Sequence, residues 1–355
     1  MTSMFKKRAI LLPLLLLFLI GCIEQREMDC SVLRLKFSYT INRYFEDQIQ
    51  GEIRAIQVYV FDSNTGILVD ILPVNEAAIN RGYIEIHPPG DGNSDFTFVA
   101  WGVCGTDIRG GGYKTVEMYQ PVAHARNEVQ IGRTTLQTFR KMMQYTDVQA
   151  RSTQHGEIMP SNVLFDHLFH SRAVNVPIRS STINVDDQVI PLDFMRNTAT
   201  LQIEVQGIHY LNRVTVNNPP RVFVTGRNER FNYDNSVGFH TRQLFYSRPN
   251  RTVTETYMRT DIKVQRMVID RHLNTEGGIF LHLHQPYPDT PVMRPLDVVA
   301  AILSARDTHG NLLWPTQDAI DREKEFPITI IINQRGQVTV KIKEWILVDL
   351  DVGLA

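Results

Sequence analysis

The stretch Ile328-Thr329-Ile330-Ile331-Ile332-Asn333-Gln334-Arg335-Gly336-Gln337-Val338-Thr339-Val340-Lys341-Ile342 reads as two strands joined by a turn. Ile328, Ile330 and Ile332 recur at every second residue. So do Val338, Val340 and Ile342, with Thr339 and Lys341 between them. Side chains alternate across a strand, so this period puts one apolar row on one face. Asn333-Gln334-Arg335-Gly336 supplies the turn. The pattern predicts a hairpin ending near Trp345.

The same period runs through the rest of the chain. Leu33, Leu35, Phe37 and Tyr39 alternate with Arg34, Lys36 and Ser38. Ile56, Val58 and Val60 repeat it within Arg54–Asp62, and the turn Ser63-Asn64-Thr65-Gly66 leads back into Ile67–Leu72. Tyr83–His87 and Phe96–Trp101 flank the Pro- and Gly-rich Pro88–Asn93. In the second half, Ala199, Leu201, Ile203 and Val205 alternate with polar residues. Val222–Val224, Ile279–Leu283 and Val299–Ala305 read as further strands. Thr134–Gln149 differs: Leu136, Phe139, Met142 and Met143 fall at helical spacing and predict one amphipathic helix. Leu164–His170 reads as a packed short helix or turn carrying His167 and His170.

Many short strands between turn signals predict an all-β fold of antiparallel sandwiches. A length of 355 residues predicts two of them in tandem. Ser180-Ser181-Thr182 and Asp186-Asp187 interrupt the apolar pattern. The expected division is therefore residues 1–21 as a signal peptide, 22–185 as the first sandwich and 186–355 as the second.

The leader is separate from the fold. Lys6, Lys7 and Arg8 precede an apolar run, Ala9–Ile20, that is shorter than the ~20 residues a spanning helix needs. Leu19-Ile20-Gly21-Cys22 then resembles the lipobox of bacterial lipoproteins, with cleavage before Cys22 and lipid on it. Each buried methylene contributes ~0.8 kcal/mol, and more than one chain makes attachment stable. Cys30 and Cys104 are the other cysteines. Export permits a disulfide between them. Two separate thiols are the other reading, and spacing alone does not decide.

A net charge of -1 gives no basic footprint for nucleic acid. No phosphate loop, nucleophile elbow or His-Glu-x-x-His helix is present. His282 and His284 share one strand face, but a zinc site needs further ligands. The expectation is no metal, no cofactor and no enzyme. Trp314, in a loop before Pro315, is the one candidate platform for a sugar, and a surface glycan-binding lipoprotein is the alternative function. Trp101 and Trp345 read as packing residues.

Several segments taken in order carry a family resemblance. They are the lipobox Cys22, Asp29-Cys30, Phe37-Ser38-Tyr39, Val58-Tyr59-Val60-Phe61-Asp62, Phe96-Thr97-Phe98-Val99-Ala100-Trp101-Gly102, Arg196-Asn197-Thr198-Ala199-Thr200-Leu201 and Glu344-Trp345. The chain resembles the FimB-type fimbrial anchor lipoproteins of Bacteroidetes, the group of the minor-fimbrium anchor. Leu164–His170 departs from the small, Gly-bearing segment expected there. The resemblance implies two transthyretin-like β-sandwiches. It also implies a lipid-anchored subunit at the base of a fimbrium on the outer membrane, limiting filament growth through strand complementation. The implied partners are fimbrial stalk subunits and the outer membrane itself. Ile328, Ile330, Ile332, Val338, Val340 and Ile342 are the candidate partner-binding positions. In such fimbriae the stalk subunits lose their first strand to an arginine-specific protease, whereas an anchor keeps its own, so Arg43 should stay uncut.

Replacing Cys22 with Ala should move the protein out of the membrane fraction. Membrane recovery at the wild-type amount would show that lipid on this cysteine is not what holds it.

Overall fold

The computed structural model describes residues 32–87, 94–106, 112–118, 126–143, 165–178, 188–228, 230–238, 244–246, 251–269, 278–286 and 289–350. In chain order the first strands are β1 (Leu33–Ile41), β2 (Ala55–Asp62), β3 (Leu68–Val74), β4 (Tyr83–Ile86), β5 (Asp95–Val103), β6 (Tyr113–Met118), β7 (Arg126–Glu128), β8 (Phe139–Met143), β9 (Leu168–Pro177) and β10 (Val189–Arg196). Short helices α1 (Ile49–Glu52) and α2 (Glu76–Arg81) lie between them.

Seven of these strands form one sheet in the order β3-β2-β5-β9-β10-β1-β4. Its two wings meet where β9 and β10 share only the pairs Met195–His170 and Arg196–Phe169. Both wings send side chains into one core: Phe37 and Tyr39 from β1, Val58 and Val60 from β2, Phe98 and Ala100 from β5, and Ile190, Leu192 and Phe194 from β10. The sheet therefore closes on itself as a sandwich, with Ile49, Ile53, Ala78 and Ile79 closing off the same core. The Asn75 side chain caps α2 by accepting from the Ala78 N–H at 3.0 Å.

The other face of β2 and β5 is buried too. Tyr59, Phe61 and Trp101 meet a second sheet, in which β13 (Arg230–Asn232) and β14 (Val237–Gly238), from later in the chain, complete the order β14-β13-β8-β6-β7; the contacts run through Phe139 at 4.6 and 5.2 Å and Phe231 at 6.0 Å between ring centroids. A strand buried on both faces loses simple alternation. That is why Tyr59 and Phe61 are as buried as Val58 and Val60.

The later strands are β11 (Thr198–Gln206), β12 (Arg221–Gly226), β13 (Arg230–Asn232), β14 (Val237–Gly238), β15 (Leu244–Tyr246), β16 (Arg251–Val253), β17 (Tyr257–Gln265), β18 (Phe280–His284), β19 (Leu296–Asp297), β20 (Glu325–Ile332), β21 (Val338–Ile342) and β22 (Trp345–Leu350). Helices α3 (Val298–Ser304) and α4 (Gln317–Arg322) interrupt them. A six-stranded sheet, β16-β17-β11-β20-β21-β22, and a four-stranded one, β15-β12-β18-β19, share a core of Leu201, Ile203, Ile262, Val224, Leu281 and Ile330. This is the second sandwich. β11 is followed by Gly207, whose φ is +76° and where a Cβ would stand 2.0 Å from the Ile332 carbonyl oxygen.

Three local expectations are corrected. Phe139–Met143 is a strand, not part of a helix, because β6 and β13 pair with it on either side; residues 144–149 lie outside the described residues. Leu168–His170 opens β9 rather than a helix or turn. Val299–Ala305 belongs mostly to α3, not to a strand. Asp297 caps that helix by accepting from the Ala300 N–H at 3.0 Å, and Val298, Ala301 and Ile302 bury one helical face.

The expected division at 185/186 falls outside the described residues. Val189–Arg196, beyond it, is a strand of the first sheet, and β13 from the later half pairs with β8 from the earlier.

Ile330 is fully buried between facing sheets. Ile330→Ala should therefore cost the purified protein ~2–5 kcal/mol in denaturant unfolding. An unchanged midpoint would remove this residue from the core.

Candidate partner-binding strands

Strand β1 is the first candidate element, since it follows Cys22, the candidate lipidation residue, in sequence. Its inward residues Leu33, Leu35, Phe37 and Tyr39 are each at most 1 % exposed. Tyr39 meets Phe169 edge-on at 5.2 Å, and Phe37 meets Phe194 at 6.4 Å. Both backbone edges are occupied. β10 runs parallel to it, from the Arg34–Val189 pair to Ser38–Asp193. β4 runs antiparallel, from Leu33–Ile86 to Lys36–Tyr83. Asp193 accepts from the Thr40 N–H at 2.9 Å and from the Ser38 and Thr40 hydroxyls. The trench that β1 fills is thus closed by the chain's own strand.

The turn after β1 holds Arg43. Asn42, fully buried, donates from Nδ2 to the Tyr39 carbonyl at 2.8 Å and to the Glu46 carbonyl at 2.7 Å. This folds the turn tightly and leaves Arg43, Tyr44 and Phe45 facing solvent.

The C-terminal hairpin forms in the expected register, Ile328 opposite Ile342 and Ile332 opposite Val338. Its six candidate residues, however, point inward. Ile328, Ile330, Ile332, Val338, Val340 and Ile342 are each at most 2 % exposed. β20 is flanked by β11 and β21, and β21 by β20 and β22. As folded, they are core side chains rather than an open contact surface. Among the described strands the edge on the hairpin's side of this sheet belongs to β22, which begins after a turn with Lys343 at φ 53° and carries Ile346 at 53 % exposure. The reading that the last hairpin ends near Trp345 stopped one strand short. The apolar run Trp345-Ile346-Leu347-Val348 after Lys343-Glu344 was the available signal.

The remaining candidates resolve into structural roles. His170 is buried, donates from Nε2 to the Tyr233 carbonyl at 3.0 Å, and lies against Trp101; burial pushes its imidazole down to about 3. His282 stacks on Phe223 at 4.7 Å and bonds Thr225 Oγ1 at 2.9 Å, while His284 pairs with Asp289 at 3.0 Å. Burial, helped by His284, pushes His282 down to about 4, so it is neutral at physiological pH. Among the described residues no group of three metal-ligating side chains comes together. Trp314 is only 4 % exposed, packed on Phe326 at 5.1 Å with Lys343 over its ring. It is not the sugar platform that its loop position suggested. Lys141 is buried, with its ammonium pushed down to about 7, and donates to Thr115 Oγ1 at 3.1 Å, a hydroxyl that also accepts from Tyr59.

Cys22 and Cys30 lie outside the described residues. Cys104 has no disulfide partner among the described residues, and its candidate partner Cys30 is not one of them.

The chain as a whole matches a known group. A family model for fimbrillin-A associated anchor proteins Mfa1 and Mfa2 matches residues 26–351. The chain belongs to this family of fimbrial anchor proteins. No curated protein matches it in sequence. Solved structures share its fold at low identity. The fimbrial anchor protein Mfa2 from Porphyromonas gingivalis is 15% identical with a TM-score of 0.60, over 90% of this chain and 99% of that one. A candidate adhesin from Bacteroides ovatus is 17% identical with a TM-score of 0.67, over 89% and 95%. A candidate polysaccharide-binding protein from Bacteroides thetaiotaomicron is 16% identical with a TM-score of 0.63, over 89% and 97%.

Thiol labelling of the denatured, unreduced protein should modify Cys104. A Cys104 that resists labelling until reductant is added would establish a disulfide.

Proposed function

We propose that this chain anchors a fimbrial filament to the outer membrane, at the base of the fimbrium and facing the cell surface. Lipid on Cys22 holds it there, and its own first strand stays in place. The observation that carries this reading is β1: its apolar row is buried and both of its edges are paired within one chain. An open trench invites another chain's strand, because unpaired N–H and C=O groups beside an apolar groove bind an extended peptide. A trench already filled ends that kind of growth. Family membership supports the same role.

The chain's polarity agrees with it. The segment from Cys22 enters the fold at Leu33, at the end of the first sandwich away from Asn197, where the chain passes into the second. The second sandwich then projects from the membrane toward a stalk subunit. Its β22 edge, free of a neighbour among the described strands, is where a partner strand would extend the sheet.

Deleting the gene should release filaments into the medium or leave them abnormally long. Filaments that stay attached at wild-type length would contradict the anchoring role.

A further inference from the structure

We infer that three consecutive residues of the second sandwich, Arg322, Glu323 and Lys324, form a lock that holds the first strand in its trench. They lie where α4 runs into β20, and each reaches a different part of the segment from the end of β1 through α1. Arg322 donates from Nη1 to the Thr40 carbonyl at 3.3 Å and lays its guanidinium over the Phe45 ring at 4.4 Å. Glu323, whose side chain is 10 % exposed, pairs with Arg43 at 3.6 Å. Lys324 donates to Gln48 Oε1 at 3.0 Å, pairs with Glu52, and sits over the Tyr39 ring at 5.6 Å. From Tyr39 to Glu52, the end of β1, its turn and α1 are thus gripped by one short stretch far away in sequence.

The gripping residues are themselves fixed. The Lys324 carbonyl accepts from the Thr200 N–H at 2.9 Å, tying the stretch to β11. Asp321, one residue before, takes a two-pronged bond from Arg266 at 2.8 and 2.6 Å. Arg266 in turn donates to the Asn235 carbonyl at 2.9 Å, and the Asn235 amide donates to Asn197 at 3.0 Å, the residue between β10 and β11. A two-pronged Arg–carboxylate pair fixes geometry as well as charge.

Phe45 has φ 58°, a backbone conformation that bulky residues avoid, and it is 68 % exposed. Local strain persists where surrounding contacts impose it, and Arg322 over the ring is such a contact. β1 lies between the membrane tether and everything else. Leaving its trench would require the Arg322, Glu323 and Lys324 contacts to break together, in addition to the loss of apolar burial. The lock therefore couples retention of the first strand to docking of the second sandwich. Its biological purpose rests on the anchor reading; its existence does not.

Hydrogen exchange on the full mature chain in detergent tests it, comparing wild type with Arg322→Ala/Lys324→Ala and with Glu323→Gln. The double variant should exchange the amides of residues 33–41 ~10-fold faster or more while those of β11 keep their wild-type rates, a local rather than global opening. Trypsin should cut after Arg43 faster in the same variant, and Glu323→Gln should show a smaller rise. Unchanged exchange in residues 33–41 would overturn the lock. So would equal acceleration in β11, which would make these contacts general stabilisers. The exchange result stands whether or not gene deletion frees filaments, so failure of the lock is separable from failure of the anchor role.

Discussion

Strand β1 is a narrow apolar ribbon between β10 and β4, and the first sandwich cannot be closed without it. Four of its side chains are buried to at least 99 %. Fully burying such side chains contributes ~1.5–3 kcal/mol each, so the row is worth on the order of 10 kcal/mol as an upper bound. Whole domains are stable by only ~5–15 kcal/mol. A trench of this depth is therefore filled in any stable form of the protein, either by this chain or by another. Under the proposed function that alternative separates a terminating subunit from a polymerising one; here the chain fills its own trench.

The two sandwiches are not independent beads. β2 and β5 are buried on both faces, so the sheet containing β8 and β13 is a shared layer contributed by both halves of the chain. The Asn197–Asn235 amide pair and the Arg266–Asp321 pair add buried polar contacts at the passage between β10 and β11. Buried, satisfied polar networks favour one arrangement over its neighbours. A rigid connection suits the proposed anchoring role, in which pull on a filament would pass through both sandwiches.

Alternation made most strands legible. Leu33–Tyr39, Ala199–Val205 and the Ile328–Ile342 hairpin each bury one face, and period two is the direct imprint of that condition. Phe139–Met143 was not legible because its apolar residues fit both periods, and pairing with β6 and β13 decided between them. Val298–Ser304 misled because short apolar runs do not distinguish strand from helix; the Asp297 cap was the signal to weigh. For the site, the sequence marked β1 and the hairpin. It could not show that the hairpin's apolar row faces inward while the next strand forms the edge. The grip of Arg322–Lys324 on residues 39–52 joins positions too far apart in sequence for any local pattern to reveal it.

The central claim is that the first strand stays covalently continuous with the body of the protein. Intact-mass measurement of the chain extracted from outer membranes tests it most directly. The account predicts one species that begins at a lipid-bearing Cys22 and retains residues 33–41. A mature species beginning at Tyr44, recovered from filaments, would contradict it.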